Sequence, residues 1–187
     1  MKLTIITPCT RPENLRLTQP GIDAGRDLFD IDWRIVFDTS VCEPVYVDGA
    51  IVTGVNIAGS RFGNGQRNAA LSMTDDGWVY FLDDDNSMHP DFFGELYAAI
   101  KKFDTLRAFA FQQDASTFIR PVDIRVNRID MAQVCIHRDL IDDLRFALHP
   151  YNADGMFIES LYRSNPKDWC IINKPLCYYN KLRLVCA

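Results

Sequence analysis

The chain has no apolar run long enough to cross a bilayer, no C-x-x-C pair, only three histidines and no Gly-Lys-Ser/Thr loop. Each absence removes a class of function. A membrane-spanning helix needs about 20 consecutive apolar residues, so none is expected here. The six cysteines, Cys9, Cys42, Cys135, Cys170, Cys177 and Cys186, are scattered and several lie inside apolar segments. That pattern favours reduced, structural thiols over a zinc ribbon or a redox motif, and cytoplasm over an oxidising compartment. His89, His137 and His149 have no ligand spacing among themselves and read as structural or surface residues. The phosphate-loop pattern is missing, and Gly-x-Gly-x-x-Gly is left incomplete because Asn68 stands where the third glycine would follow Gly63 and Gly65. Lys and Arg number 20 against 25 Asp and Glu, a net charge of -5. Nucleic-acid surfaces draw most of their affinity from clustered cations, so no nucleic-acid partner is expected and any anionic ligand must be held locally. The first residues carry one cation and an apolar stretch broken by Thr and Pro, which reads as a first strand and not as a secretory signal. Repeats, low-complexity tracts and an interdomain linker are also missing.

What is present fits one globular domain. At 187 residues, 48% hydrophobic and 24% charged, the chain can bury a proper core but has no room for a second catalytic domain. Apolar runs at residues 3–7, 33–37, 78–82 and 107–111 alternate with helix-compatible stretches, which predicts an α/β sheet. Helices are expected from near Pro12, over 66–73, from His89-Pro90-Asp91, over 138–145 and over 154–162. The third carries Phe92, Phe93, Leu96, Ile100 and Phe103 as one apolar stripe for the sheet. Residues 116–124 read as extended and 130–136 as a strand. Two closing strands, 169–172 and 176–179, are expected on either side of Pro175.

The most informative segment is Leu82-Asp83-Asp84-Asp85-Asn86, which follows the apolar run Trp78-Val79-Tyr80-Phe81. Three acids at the end of a buried strand are costly without a counter-charge, and a divalent cation is one solution. Mg²⁺ and Mn²⁺ take oxygen ligands and commonly share one or two carboxylates with substrate phosphates. The bland alternative is a solvated strand end that caps a helix. A calcium EF-hand fits poorly, because Met88 and His89 stand where a ligand and a glycine are needed. Open α/β sheets bind ligands beyond the carboxyl ends of their strands, which gathers three more clusters: Thr7-Pro8-Cys9-Thr10-Arg11, Asp38-Thr39-Ser40 and Arg67-Asn68. Asp38 fits a turn start nearly as well as a binding role, and Asp154 by itself fits an ordinary helix cap.

Taken in order, Ile-Thr-Pro-x-x-Arg-Pro-Glu-Asn-Leu near the start, a strand ending in Asp38, Gly63-x-Gly65-x-Arg67-Asn68-Ala69-Ala70, Phe81-Leu82-Asp83-Asp84-Asp85-Asn86-x-x-x-Pro90-Asp91-Phe92, and Asp154-Gly155 opening a late helix resemble GT-A-fold family 2 glycosyltransferases. The resemblance implies an α/β, GT-A-like single domain with a mostly parallel central sheet flanked by helices. Residues 1–112 would form the nucleotide-sugar half and 113–187 the acceptor half. It implies that Thr7, Pro8 and Arg11 line the nucleotide pocket, that Asp38 accepts from the base and that Arg67 flanks base or diphosphate. Asp83 or Asp84 would hold the ribose, Asp85 the Mn²⁺ or Mg²⁺ with Asp83 as the second candidate, and Asp154 would be the catalytic base. Relatives often place Glu before that Asp, where this chain has Ala153, and a metal-binding His after the late strand, where only Lys181 and Arg183 are available for the diphosphate. The Gln-x-x-Arg-Trp signature of processive synthases is missing. The resemblance therefore implies inverting transfer of a single sugar, with a UDP-sugar the first candidate donor and a glycan, lipid-linked sugar or protein as acceptor. Association with a membrane surface is compatible with a lipid-linked acceptor, although no basic amphipathic helix announces it. A nucleotidyltransferase and a nucleotide-sugar-binding module without turnover are the alternatives; the first is disfavoured because residues 7–11 contain no glycine.

Overall fold

In the computed structural model, residues 1–57, 59–114 and 119–183 are described. Thirteen elements follow one another: β1 (Lys2–Cys9), α1 (Leu15–Asp23), β2 (Asp30–Asp38), β3 (Ala50–Val55), α2 (Asn64–Ser72), β4 (Trp78–Phe81), β5 (Ser87–Met88), α3 (Phe92–Lys102), β6 (Ala108–Gln113), β7 (Val134–His137), α4 (Arg138–Ile141), α5 (Ala153–Ser164) and β8 (Trp169–Tyr178). The strands form one sheet in the order β3-β2-β1-β4-β7-β6-β8-β5. β3, β2, β1 and β4 run parallel, β7 lies antiparallel between β4 and β6, and β8 rejoins β6 in parallel. This is the α/β architecture expected from the sequence.

The near-continuous apolar runs of β1, β2 and β4 arise because both faces of the sheet are covered. Side chains alternate between faces along a strand, so Leu3 and Ile5 enter one core layer with Trp33, Tyr80 and Phe109, while Ile6 enters the other with Val36, Val79 and Phe81. Leu15 and Ile22 of α1 and Phe92, Leu96 and Ile100 of α3 close the first layer. Leu71 of α2 and Phe157, Ile158 and Leu161 of α5 close the second. Phe146 and Phe157 stack face to face there, with centroids 4.1 Å apart. Among the described residues no helix is long and apolar enough to cross a membrane.

Several expected boundaries move, each for a local reason. Pro12 opens a 3-10 turn over Pro12–Asn14 and the α-helix proper begins at Leu15. The helix expected over 138–145 stops at Ile141, where Asp142 takes φ 46° and ends the run. Asp130 caps a 3-10 turn over Met131–Gln133, so the strand there begins only at Val134. Of the stretch expected to be extended, 116–118 lies outside the described residues and Pro121–Asp123 is a 3-10 turn. The two closing strands are one: β8 passes through Pro175, where its register against β6 jumps from Phe111 opposite Ile172 to Gln112 opposite Pro175. A residue without an N–H is tolerated at such an irregularity. β3 was not expected; as a sheet-edge strand it leaves Ile51 exposed and lacks a clean apolar signature.

The pairing of β1 with β4, with Ile6 opposite Phe81, brings residues 7–11 and 82–86 out at the same end of the sheet. Gly77, at φ 87°, makes the turn into β4, and a Cβ there would lie 3.0 Å from the Lys2 backbone oxygen. Gly77→Ala is expected to lower unfolding stability by about 1–3 kcal/mol through the combined strain and contact, as measured by urea denaturation; an unchanged midpoint would show that the turn relaxes freely.

Candidate active site

The acidic triplet lies at the carboxyl end of β4, and its three carboxylates are turned to three different arginines. Asp84, 3% exposed, accepts from the Thr10 N–H at 2.6 Å and the Arg11 N–H at 2.8 Å on one oxygen, and from the Arg11 guanidinium at 2.5 Å on the other. The Asn14 amide also donates to the Asp84 backbone oxygen at 3.0 Å. Burial pushes the Asp84 carboxyl above its ordinary range, and the Thr10 N–H and Arg11 pull it back. Asp83, the more open neighbour, meets Arg67 at 2.5 Å. Asp85 accepts from Arg183 Nε at 2.6 Å and lies 3.2 Å from Arg11.

A second wall comes from the other half of the chain. Gly155, in the first turn of α5, has its Cα face against the 126–127 backbone: a Cβ would lie 3.0 Å from Val126 Cα. Glu159, one turn further on, accepts from the Val126 N–H at 2.8 Å. This docking brings Asp130 and Asp154 to the same cavity as Asp83, Asp84 and Asp85, a space of about 570 Å³. Asp154 accepts from the Gly155 N–H at 2.7 Å, and burial raises its carboxyl above the ordinary range despite Gly155 and Arg67. Asp130 is pushed up to about 7, first by burial and then by Asp83 and Asp154, with the Ala132 N–H and Arg67 opposing. Among the described residues neither Asp130 nor Asp154 has an ion-pair partner.

The expected residues divide. Pro8, Arg11, Arg67, Asp83, Asp84, Asp85 and Asp154 all line this cavity. Thr7 does not: its hydroxyl accepts from Trp33 Nε1 at 3.0 Å on the core side of β1. Asp38 also lies outside the lining, and its carboxylate accepts from the Ser40 N–H at 2.9 Å and hydroxyl at 2.6 Å, the turn that its neighbours allowed. Of the two late cations, Arg183 reaches the site, whereas Lys181 sits 3.9 Å over the Tyr178 ring. Asp130, Gln133 and Tyr179, which the sequence does not single out, also line the cavity, as does Tyr151. Nothing in the local pattern of Asp130 separates it from the cap of a 3-10 turn, which it also is.

Among the described residues no three His, Cys, Asp or Glu side chains converge as a ligand cluster. A hard cation here would take one or two carboxylates and complete its shell with phosphate oxygens and water, a common arrangement for Mg²⁺. Asp85 fits that arrangement: it is 4% exposed, faces the cavity, and is covered by Arg183, whose side chain is half in solvent.

Residues 56–146 match the family described as glycosyl transferase family 2. No curated protein matches the sequence. The fold matches S. aureus TarS in complex with UDP-GlcNAc at a TM-score of 0.71, with 14% identity over 95% of this chain and 58% of that one. It also matches the mannosyltransferase PcManGT from Pyrobaculum calidifontis in complex with GDP-Man and Mn²⁺, at 0.65 and 16% over 96% of this chain and 56% of that one. A third match is glucosyl-3-phosphoglycerate synthase from Mycobacterium tuberculosis in complex with Mn²⁺, UDP and glucosyl-3-phosphoglycerate, at 0.62 and 15% over 94% and 71%. This chain spans 36% to 60% of the length of the TarS structures.

The unpaired Asp130 carboxyl has a consequence for stability. Its folded-state pKa of about 7 lies above the ordinary carboxylate value, so the stability it contributes is present at low pH and is lost as pH rises through about 7. Asp130→Asn keeps an acceptor for the Ala132 N–H. It is expected to be more stable than the wild type at pH 8, by on the order of 2 kcal/mol, and to lose most of that advantage by pH 5. Urea denaturation at the two pH values measures the difference, and a pH-independent gap would mean that Asp130 ionises normally.

Proposed function

We propose that this chain, which has the GT-A glycosyltransferase fold and carries the family 2 segment over residues 56–146, moves a single sugar from a nucleotide-diphosphate donor to an acceptor hydroxyl with inversion. One observation carries the reading: Asp154 and the triplet Asp83 to Asp85, far apart in sequence, line one cavity of about 570 Å³. That volume lies within the range of small-molecule sites.

The donor would lie along residues 1–112 and the acceptor along 113–187, with the reacting carbon between the triplet and Asp154. Asp83 is the better ribose contact of the two candidates, because both oxygens of Asp84 already face Thr10 and Arg11. Asp84 instead holds the Arg11 guanidinium at the cavity wall, where Arg11 and Arg183 can meet the diphosphate. Asp85, with Asp83 as the second candidate, would hold a Mn²⁺ or Mg²⁺ ion, and that ion would supply positive charge opposite the diphosphate. TarS and the synthase are seen with UDP-linked or UDP ligands and PcManGT with GDP-Man, so UDP and GDP are the bases to test first.

Asp154 acts as general base. Its carboxylate takes the proton of the acceptor hydroxyl as that oxygen attacks the anomeric carbon from the face opposite the diphosphate. The carbon–oxygen bond to the donor breaks in the same step, and the nucleoside diphosphate leaves with the bonding pair. A base with a raised pKa is a stronger proton acceptor once ionised, which suits a hydroxyl substrate.

Thermal shift with UDP and GDP, with and without Mn²⁺, tests the donor half, since a ligand of the folded state raises apparent stability. One nucleotide is expected to stabilise the protein more strongly with Mn²⁺, and Asp85→Ala is expected to abolish the metal-dependent increment. A wild-type response unchanged by chelator would count against the cation. Asp154→Asn is expected to keep donor affinity while lowering kcat by roughly 10²- to 10⁴-fold; normal turnover would move the base elsewhere.

A further inference from the structure

The mouth of the cavity holds an aromatic feature that the transfer step does not use. Phe62 sits at φ 57°, a left-handed conformation that is costly for a bulky side chain, yet the residue is 51% exposed. It meets Tyr151 edge to face with centroids 5.2 Å apart, and Tyr151 is 74% exposed. Tyr179, beyond the end of β8, lies near Tyr151. All three line the cavity. Burial does not account for this group, because large apolar area is left in water where folding gains little from it.

The strained position is held in place. The Phe62 carbonyl accepts from Arg67 at 2.8 Å, and the Arg61 N–H donates to the Leu148 carbonyl at 3.1 Å, tying the loop before α2 to the loop before α5. Strain that persists at a cavity rim is characteristic of ligand clamps. Tyr151 stands three residues before Asp154, on the side where an acceptor must approach the base, whereas the donor contacts gather at Arg11 and the triplet.

The charges beside the rim narrow the ligand further. Arg11, Arg67 and Arg183 are engaged by the triplet, while Asp130, Asp154 and the exposed Arg128 have no ion pair among the described residues, which leaves the acids in excess. Gln133 lines the same wall with its amide engaged: Oε1 accepts from the Asp130 N–H at 2.9 Å and Nε2 donates to the Phe111 carbonyl at 3.3 Å. An anionic acceptor would meet two carboxylates against one arginine there. A neutral sugar ring suits the wall: its C–H face can lie on an aromatic ring, and its hydroxyls can donate to a carboxylate.

We propose that Tyr151, joined by Phe62 reaching in from the 1–112 half, forms the acceptor subsite, and that the acceptor is a neutral glycan whose sugar ring lies on this pair with hydroxyls directed to Asp130. The proposal rests on the transferase reading, because it takes Asp154 as the base.

Saturation-transfer NMR and calorimetry on the whole chain, with Mn²⁺ and the nucleoside diphosphate that binds best, would use methyl β-glucoside, methyl β-N-acetylglucosaminide and methyl α-mannoside as probes, with 3-phosphoglycerate as the anionic comparison. At least one glycoside is expected to bind saturably and more tightly than 3-phosphoglycerate. Tyr151→Ala and Phe62→Gly are expected to lower its affinity roughly tenfold or more, a larger drop than for the nucleotide, while Tyr151→Phe retains the aromatic face and most of the affinity. Phe62→Gly relieves the φ strain, so the variant is expected to fold. Three results would overturn the proposal: no glycoside binding by a protein that binds nucleotide, preference for 3-phosphoglycerate, or equal losses of nucleotide and glycoside affinity, which would assign the rings to the base. Glycoside binding that is lost in these variants, in a protein that takes no nucleoside diphosphate, would sink the transferase reading and leave the aromatic subsite standing.

Discussion

The contact on which the site depends is the one between Asp84 and the loop after β1. Two parallel strands deliver their carboxyl ends side by side, but nothing in strand pairing alone fixes the loops that follow. Asp84 does so by accepting from two consecutive backbone N–H groups and one guanidinium, all within 2.8 Å. Hydrogen bonds to an ionised acceptor are among the stronger ones, and leaving such a group buried without them is expensive. The consequence is positional. With Asp84 engaged in holding the loops, Asp83 and Asp85 are displayed on either side of it toward the cavity.

A second constraint assembles the opposite wall. The missing side chain at Gly155 and the Glu159 carboxylate together seat the 126–127 backbone on the start of α5. A larger residue at 155 would push that loop away and take Asp130 with it. The Phe146 and Phe157 stack beneath makes this region part of the packed second core layer, so Asp154 is presented from a rigid helix end. Sites mounted on packed elements hold their geometry better than sites on free loops.

Charge at the cavity is arranged by distance as much as by count. Each member of the triplet is ion-paired to an arginine, whereas among the described residues the two acids of the opposite wall form no ion pair. On the paired side the Arg183 Nε–H donates to one oxygen of Asp85 at 2.6 Å. The unpaired side keeps its carboxyls protonated to higher pH than usual, which suits proton transfer and the recognition of hydroxyls.

The sequence by itself determined the α/β class, the buried strands β1, β2, β4 and β6, the apolar stripe of α3 as far as Ile100 but not Phe103, which follows the helix and is exposed, and the position of the acidic triplet, because apolar periodicity and strand-end polarity are local properties. It also marked Arg11, Arg67 and Asp154 through their order along the chain. Tertiary structure decided the rest. Thr7 is bonded to Trp33 and one oxygen of Asp38 to Ser40, contacts set by which face of the strand each side chain occupies and by a turn of three residues. The edge strand β3 and the continuous β8 depend on partners distant in sequence, which no window reveals. Asp130 and the Phe62–Tyr151 pair acquire their surroundings only when the loops before α2 and α5 meet, since burial and stacking are properties of neighbours brought together by folding.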